Sequence, residues 1–240
     1  MRIAGNPQFT KQGQFYPALI AFCLGGIFFS GLIFTIAFES LRQFGIYMMV
    51  AVLRLRIQCM ATFHVLEFVW TAFFHPETCT SDSFLVNHSP EYTVAVVAAL
   101  VEYWIEFFLL PGLKTYPVFT RLGLVLFLVG QYFRTGAMWT AGSNFTHLIA
   151  GQRQTSHKLV THGMYKIVRH PSYFGHFWLS IGTQIILFNP VCIIGYVVAL
   201  WRFFAFRIAE EERLMMRPDF FGDEYKKFRD STPTLIPGIR

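Results

Sequence analysis

Charged side chains are scarce in this chain. Its 240 residues hold 20 Lys and Arg and 14 Asp and Glu, 14% in all, where a soluble domain carries about 25%; that shortfall excludes a water-solvated globule. Cysteine is nearly as sparse. Cys23, Cys59, Cys79 and Cys192 show no CxxC spacing, and three of them sit inside apolar runs, so neither a zinc site nor a disulfide framework is indicated. No Ser-His-Asp or Cys-His constellation stands out. A basic stripe with interleaved stacking aromatics is also missing, which removes the nucleic-acid reading, and the net charge of +6 instead points to basic loops flanking a membrane on its cytoplasmic side.

What the chain has is apolar bulk. Hydrophobic residues make up 54% and aromatics 18%, Phe alone occurring 28 times. They cluster in runs close to the roughly 20 residues a bilayer core requires. Ala18–Phe38 lies between Pro17 and Glu39 and is longer than a signal-peptide core, with no small-residue cleavage site after it, so it reads as a retained first span. Gln43–Phe74 is interrupted by Arg54 and Arg56, Tyr92–Leu110 ends at Pro111-Gly112, and Val118–Trp139 contains Arg134. Tyr173–Phe188 and Val191–Phe206 are separated only by Asn189-Pro190, a tight helical hairpin. The fold expected is therefore all-α and polytopic, an integral membrane protein with six firm crossings and more if interrupted runs split. An even count puts both termini on one side. Arg202, Arg207, Arg213, Arg217, Lys226, Lys227 and Arg229 mark that side as cytoplasmic, and the hairpin brings residues 142–171 to the same face. The loop His75–Glu91 has no Lys or Arg, so charge leaves its side open, with the sequon Asn87-His88-Ser89 a weak pointer.

Charges inside such runs cost several kcal/mol unless paired, snorkelling or wet. Glu67, Glu102, Glu106, Arg134 and Arg202 are the cases here, with Arg207 near a span end. Glu102 and Glu106 share a helix face. Together with His64 they admit a carboxylate-histidine metal cluster, but the Glu-x-x-His order of helical di-iron sites is reversed and occurs once. Pairing with Arg134 or Arg202 is the plainer expectation, and no metal site is expected. His147, His157, His162, His170 and His176 are scattered singly, unlike the boxes of membrane desaturases; His147 and His176 read as hydrogen-bonded structural histidines.

Polar chemistry concentrates between Leu159 and Gly175. There Arg169-His170-Pro171 sets a cation, an imidazole and a helix-opening proline at the start of an apolar run, where unpaired backbone N–H groups and the helix dipole favour an anion.

Arg169-His170-Pro171-Ser172-Tyr173 is preceded by Leu159-Val160-Thr161-x-Gly163-x-Tyr165. It is followed by Glu210-Glu211-Glu212 and by Phe221-Gly222-x-Glu224-Tyr225. With Ala141-Gly142-Ser143-Asn144-Phe145 and the run at Asn87–Val94, this pattern over residues 80 to 235 resembles the isoprenylcysteine carboxyl methyltransferase family. The Arg-His-Pro-x-Tyr element alone is shared with phospholipid N-methyltransferases and membrane sterol reductases.

The resemblance implies an endoplasmic-reticulum enzyme of about eight transmembrane helices with its active site facing the cytosol. It would transfer methyl from S-adenosylmethionine, leaving S-adenosylhomocysteine, to the C-terminal carboxylate of a farnesylated or geranylgeranylated cysteine. Its substrates would be processed CaaX proteins such as small GTPases, delivered in membrane lipid. Residues 1–91 would form N-terminal transmembrane helices. Residues 92–240 would form the catalytic part: a cytosolic cofactor loop (142–171), a helical hairpin (172–206) and a helical C-terminal tail (207–240). Carried over by position, the cofactor site comprises His157, Lys158, Leu159, Val160, Tyr165, His170, Pro171, Ser172, Tyr173 and Glu211, and Arg207 belongs to the substrate; residues 170–173 open a helix whose N-terminus suits the cofactor's carboxylate, with Arg169 as its support. His162 stands where a smaller residue is expected, which bears on the pocket rim.

The chemistry suits these residues. A terminal carboxylate, with a pKa near about 3.5, is already ionised at neutral pH and needs no general base. It needs orientation and exclusion of water, and a planar arginine fork provides the first. Arg207 lies four residues before Glu211 on what should be one continuing helix, so the two face the same way. A solvated Arg–Glu pair is the bland reading of that spacing, and an interfacial belt aromatic is the bland reading of Tyr173. Phospholipid N-methylation, an NADPH-dependent sterol reductase and a non-enzymatic membrane scaffold are the alternatives.

Overall fold

The computed structural model describes residues 19–26, 29, 45–76, 79–86, 89–110, 112, 114, 116–146, 151–153 and 157–239. Most of the expected span Ala18–Phe38, the sequon at Asn87-His88 and His147 lie outside them. Every regular element among the described residues is helical: α1 (Gly45–Phe74), α2 (Pro90–Leu109), α3 (Pro117–Ala141), α4 (Met164–Ile167), α5 (Pro171–Leu187), α6 (Pro190–Met215) and α7 (Asp223–Ser231), with short 3-10 turns at Ser81–Phe84 and Gly142–Asn144. Among the described residues, three helices are long and apolar enough to cross a membrane: Ala51–Phe74 within α1, then α2 and α6. The runs expected at Val118–Trp139 and Tyr173–Phe188 appear as α3 and α5, but the 17 residues of α5 span only about 26 Å at 1.5 Å per residue, short of a bilayer core.

The chain divides into two compact units. The first comprises Met1–Phe127 and Ile181–Ile194. Here the loop between α1 and α2 is pinned rather than loose. Thr80 caps the 3-10 turn with a capping box, Phe84 stacks on Phe68 at 4.1 Å, and His64 spans Phe84 O at 2.8 Å and the Tyr92 hydroxyl at 3.0 Å. His64 is thereby a structural histidine. Ser89 accepts from Tyr92 N at the start of α2, and Pro90 occupies its first turn, where a missing N–H costs nothing.

The paired carboxylates of α2 depart from expectation. Neither partner is Arg134 or Arg202: Glu106 forms an ion pair with the buried ammonium of Lys114, and Glu102 accepts from Val191 N and Cys192 N, both at 2.7 Å, at the opening of α6. Lys114 also donates to the carbonyls of Leu187 and Phe188, each 2.9 Å away, and to Asn189 Oδ1 at 3.1 Å. Asn189 Nδ2 donates to Ala99 O at 2.7 Å. A cation at the carbonyl end of α5 and a carboxylate at the amide end of α6 both match helix polarity. The α5–α6 hairpin is tight because these side chains satisfy its exposed backbone ends. Among the described residues no group of three or more His, Cys, Asp or Glu has metal-holding geometry.

The second unit comprises Leu128–Ser180 and Gly195–Arg240. In it α3 and α5 cross at backbone contact: a Cβ on Gly130 would lie 2.5 Å from Gly175 O, and one on Gly175 would lie 2.6 Å from Arg134 N. That approach sets Arg134 against the first turn of α5. Helix α6 runs unbroken past the end of the apolar run at Phe206 to Met215, so positions 207–212 are helical, as the Arg207–Glu211 spacing expects. A turn through Gly222 (φ +56°) leads into α7, after which residues 232–239 return along the unit, Arg169 N donating to Pro233 O at 3.0 Å and Trp201 Nε1 to Pro237 O at 2.8 Å.

Candidate active site

The candidate residues that converge do so around Tyr173, in the first turn of α5. Its hydroxyl donates to Glu211 Oε2 at 2.7 Å and accepts from Arg207 Nε at 2.9 Å. Arg207 and Glu211 are one helical turn apart on α6, which aims both at the same point. The Arg207 guanidinium also lies over the Tyr173 ring at 5.6 Å and the Phe203 ring at 5.8 Å. Rings of His170 (5.4 Å, interplanar 6°) and Phe204 (5.2 Å, 30°) stack against Tyr173. So crowded a ring presents its hydroxyl edge, not a face, to anything that binds. This is neither a solvated Arg–Glu pair nor a lone belt aromatic.

Behind it lies a buried polar layer that sequence reading missed. Glu212, 6% exposed, accepts from Arg169 Nε at 2.6 Å and lies 3.0 Å from His170 Nε2, both through Oε1. A carboxylate facing that nitrogen requires His170 to carry its proton on Nε2. Arg169 Nη1 donates to Thr232 O at 2.9 Å, and the Tyr225 hydroxyl sits 3.4 Å from His170 Nε2. Burial, then the Glu212 and Glu211 carboxylates, push the Tyr225 phenol above its usual range, so it stays neutral. Arg169 Nη2 is buried without a hydrogen-bond partner. Arg169 thus ties the start of α5 to α6 and the C-terminal segment. The signal that could have found Glu212 was the Glu-Glu-Glu run: on a helix Glu210 and Glu211, three and four residues after Arg207, can share its face, whereas Glu212 must point elsewhere.

The opening of α5 differs from the free anion site expected of it. Pro171 has no N–H, and the Tyr173 and Phe174 amides already donate to His170 O at 3.1 and 3.0 Å. The local cation is Arg134 of α3, 6% exposed, whose Nη1 donates to Ser172 Oγ at 2.9 Å. Arg134 is also close enough to the Tyr165 phenol to pull its pKa down, against the stronger upward push of burial and of Glu211. The balance keeps Tyr165 neutral.

The preceding loop is held from two sides. Asn144 Oδ1 accepts from Lys158 N at 2.9 Å. His157 lies 6.2 Å, ring to ring, from Phe220, and Arg153 donates to Phe220 O at 2.5 Å while covering the Phe221 ring. Lys158 is exposed, and Leu159 and Val160 are half-buried. Gly163 adopts φ +57°, ψ −129° at the head of α4, and a Cβ there would stand 2.6 Å from Thr140 Cγ2. Only glycine fits that turn, which delivers Tyr165 toward Glu211. The donor set suits a nucleoside bearing an amino acid: a partly exposed carboxylate for hydroxyls or an amine, a neutral phenol, apolar walls, and a buried guanidinium by the first turn of α5.

Comparison with known proteins gives this geometry a family. Residues 122–217 match the model of the isoprenylcysteine carboxyl methyltransferase (ICMT) family. Protein-S-isoprenylcysteine O-methyltransferase of Dictyostelium discoideum is 43% identical over 84% of this chain and 80% of its own. The enzyme of that name from Tribolium castaneum is 42% identical over 96% and 79%, and the human one 39% identical over 93% and 75%. The solved structure of the eukaryotic intramembrane Ras methyltransferase ICMT superposes with a TM-score of 0.87 at 39% identity, covering 96% of this chain and 79% of that one. With sequence identity, fold and length in agreement, the chain is an integral membrane protein that belongs to the isoprenylcysteine carboxyl methyltransferase family.

Proposed function

We propose that this protein transfers a methyl group from S-adenosylmethionine to the C-terminal carboxylate of a farnesylated or geranylgeranylated cysteine, producing the methyl ester. The observation that carries the reading is the arginine and carboxylate of α6 meeting on one tyrosine hydroxyl, in a chain about 40% identical to enzymes named for that reaction. Substrates are then prenylated CaaX proteins, small GTPases among them. The protein resides in the endoplasmic-reticulum membrane, crosses it about eight times, and works from the cytosolic side. Within it, residues 1–91 serve as N-terminal transmembrane helices and residues 92–240 as the catalytic part, with loop 142–171, hairpin 172–206 and tail 207–240.

When bound, S-adenosylmethionine supplies an electrophilic methyl on a cationic sulfur. The chain's task is to bring an already ionised carboxylate to it with reacting atoms about 3–3.5 Å apart and without water. Arg207 takes the carboxylate: its Nε is oriented by Tyr173, which fixes the plane of a fork that binds two oxygens and cannot deprotonate. Glu211 accepts hydrogen bonds from the nucleoside or its amine. Tyr165, with residues 157–160, walls the nucleoside; His170, Pro171, Ser172 and Tyr173 form the adjoining edge. Arg169 acts indirectly, holding His170 through Glu212. The prenyl chain, for which each buried CH₂ contributes about 0.8 kcal/mol, requires an apolar path from the bilayer.

The test is methyl transfer by the purified protein in lipid, with labelled S-adenosylmethionine and either N-acetyl-S-farnesylcysteine or phosphatidylethanolamine as acceptor. Label is expected in a base-labile ester of the farnesylcysteine. Label in phosphatidylethanolamine alone overturns the proposal.

A further inference from the structure

The Tyr173 hydroxyl is placed between two groups assigned above to different ligands. It receives a proton-donating contact from Arg207, on the carboxylate side, and passes one to Glu211, on the nucleoside side, so that Arg207, Tyr173 and Glu211 form a directional chain with links of 2.9 and 2.7 Å. Each link conditions the other. A hydroxyl that accepts from a guanidinium is a stronger donor, and a hydroxyl whose proton is held by a carboxylate turns its lone pairs toward the guanidinium. The ring cannot swing away, being stacked on His170 and Phe204, and His170 is itself fixed by buried Glu212. Glu211 is the looser member, its side chain 21% exposed. A nucleoside that anchors Glu211 therefore also fixes the Tyr173 proton and, through it, the plane of the Arg207 fork.

We infer that the Tyr173 hydroxyl is a positioning group that couples the two subsites, so that each ligand tightens the other. This rests on the proposed reaction and adds to it a role for the hydroxyl that lies between the two ligands. The gain comes from ordering Arg207 and Glu211 once instead of twice, a saving realised when the second ligand meets an already oriented partner. By thermodynamic linkage the enhancement is the same in both directions.

The experiment uses the full chain in lipid nanodiscs with S-adenosylhomocysteine and N-acetyl-S-farnesylcysteine, a pair between which no methyl can pass. Calorimetry gives the Kd of each ligand alone and with the other at saturation. For the native protein the expected tightening is about tenfold, equal in both directions within error. Tyr173→Phe keeps the stacked ring and removes only the hydroxyl; its expected tightening is close to onefold. A residue that merely shaped the pocket would weaken each Kd and leave the ratio intact. No tightening in the native protein, or a ratio that survives Tyr173→Phe, overturns the coupling. Should that variant bind neither ligand, Arg207→Lys, which keeps the charge and lacks the Nε donor, is expected to lose the ratio as well, and its retention there overturns the coupling too. Methyl transfer by the native protein with a ratio of one refutes the coupling alone; absence of transfer refutes the reaction.

Discussion

At the scale of single residues the site rests on differences between similar side chains. Arg207 is bound edge-on by Tyr173 through Nε, an attachment a lysine cannot make, and the remaining fork geometry is what pairs with two carboxylate oxygens. Arg207→Lys should therefore lower kcat/KM for N-acetyl-S-farnesylcysteine by well over tenfold while the protein folds normally and still binds S-adenosylhomocysteine; native-like kinetics would remove Arg207 from the acceptor site. Arg207 and Glu211 were legible in the sequence because a four-residue spacing has one meaning on a helix. Glu212 was not. Its partners, Arg169 and His170, are 43 and 42 positions away, and which of three consecutive glutamates faces inward depends on helix phase and on the neighbour it meets. The same holds for Lys114, whose ion pair with Glu106 depends on a hairpin turn some 75 residues later in the chain.

At the scale of elements the helices were readable and their ends less so. Apolar runs located α1, α2, α3, α5 and α6, and Asn189-Pro190 located the hairpin; the apolar run stops at Phe206, and the helix that the Arg207–Glu211 spacing carries beyond it ends at Met215. Hydrogen bonding within a helix does not end where the apolar surface does, and the turn at 217–222 is what terminates it. The loop into α4 was legible at one position. Gly163 combines φ +57° with ψ −129°, a conformation closed to residues with a Cβ, and any Cβ would collide with Thr140. Gly163→Ala is expected to cost about 1–3 kcal/mol locally and, by displacing Tyr165, to weaken S-adenosylhomocysteine binding at least tenfold by calorimetry. Trimming the obstacle in the double variant Gly163→Ala, Thr140→Ala should recover only part of the loss, since the backbone strain remains. Full recovery would mean the collision, and not the dihedral, governs the turn.

At the scale of the whole molecule the solvent decides what the exposed surface means. Val94, Val97, Val101, Ile105 and Phe108 of α2 recur every three or four residues and are 52–72% exposed, a stripe too apolar and too long to face water. Val191, Ile194 and Val198 repeat the pattern on α6. The other side of α2 holds Glu102 and Glu106 in contact with the hairpin, so α2 puts its charges inward and its valines outward, the inverse of a soluble helix. This follows when the surroundings are hydrocarbon, because an unpaired ion is costly there and an exposed methyl is not. Val97, near the middle of α2, measures the effect. Val97→Arg should cost about 2.5–3.5 kcal/mol and lower both the yield of membrane-inserted protein and its midpoint of thermal inactivation. Glu224→Arg, on the exposed face of α7, makes twice the change in charge and should leave both readings near native. If Val97→Arg inserts and endures as well as Glu224→Arg, the valine face of α2 is covered by water or by protein and not by hydrocarbon.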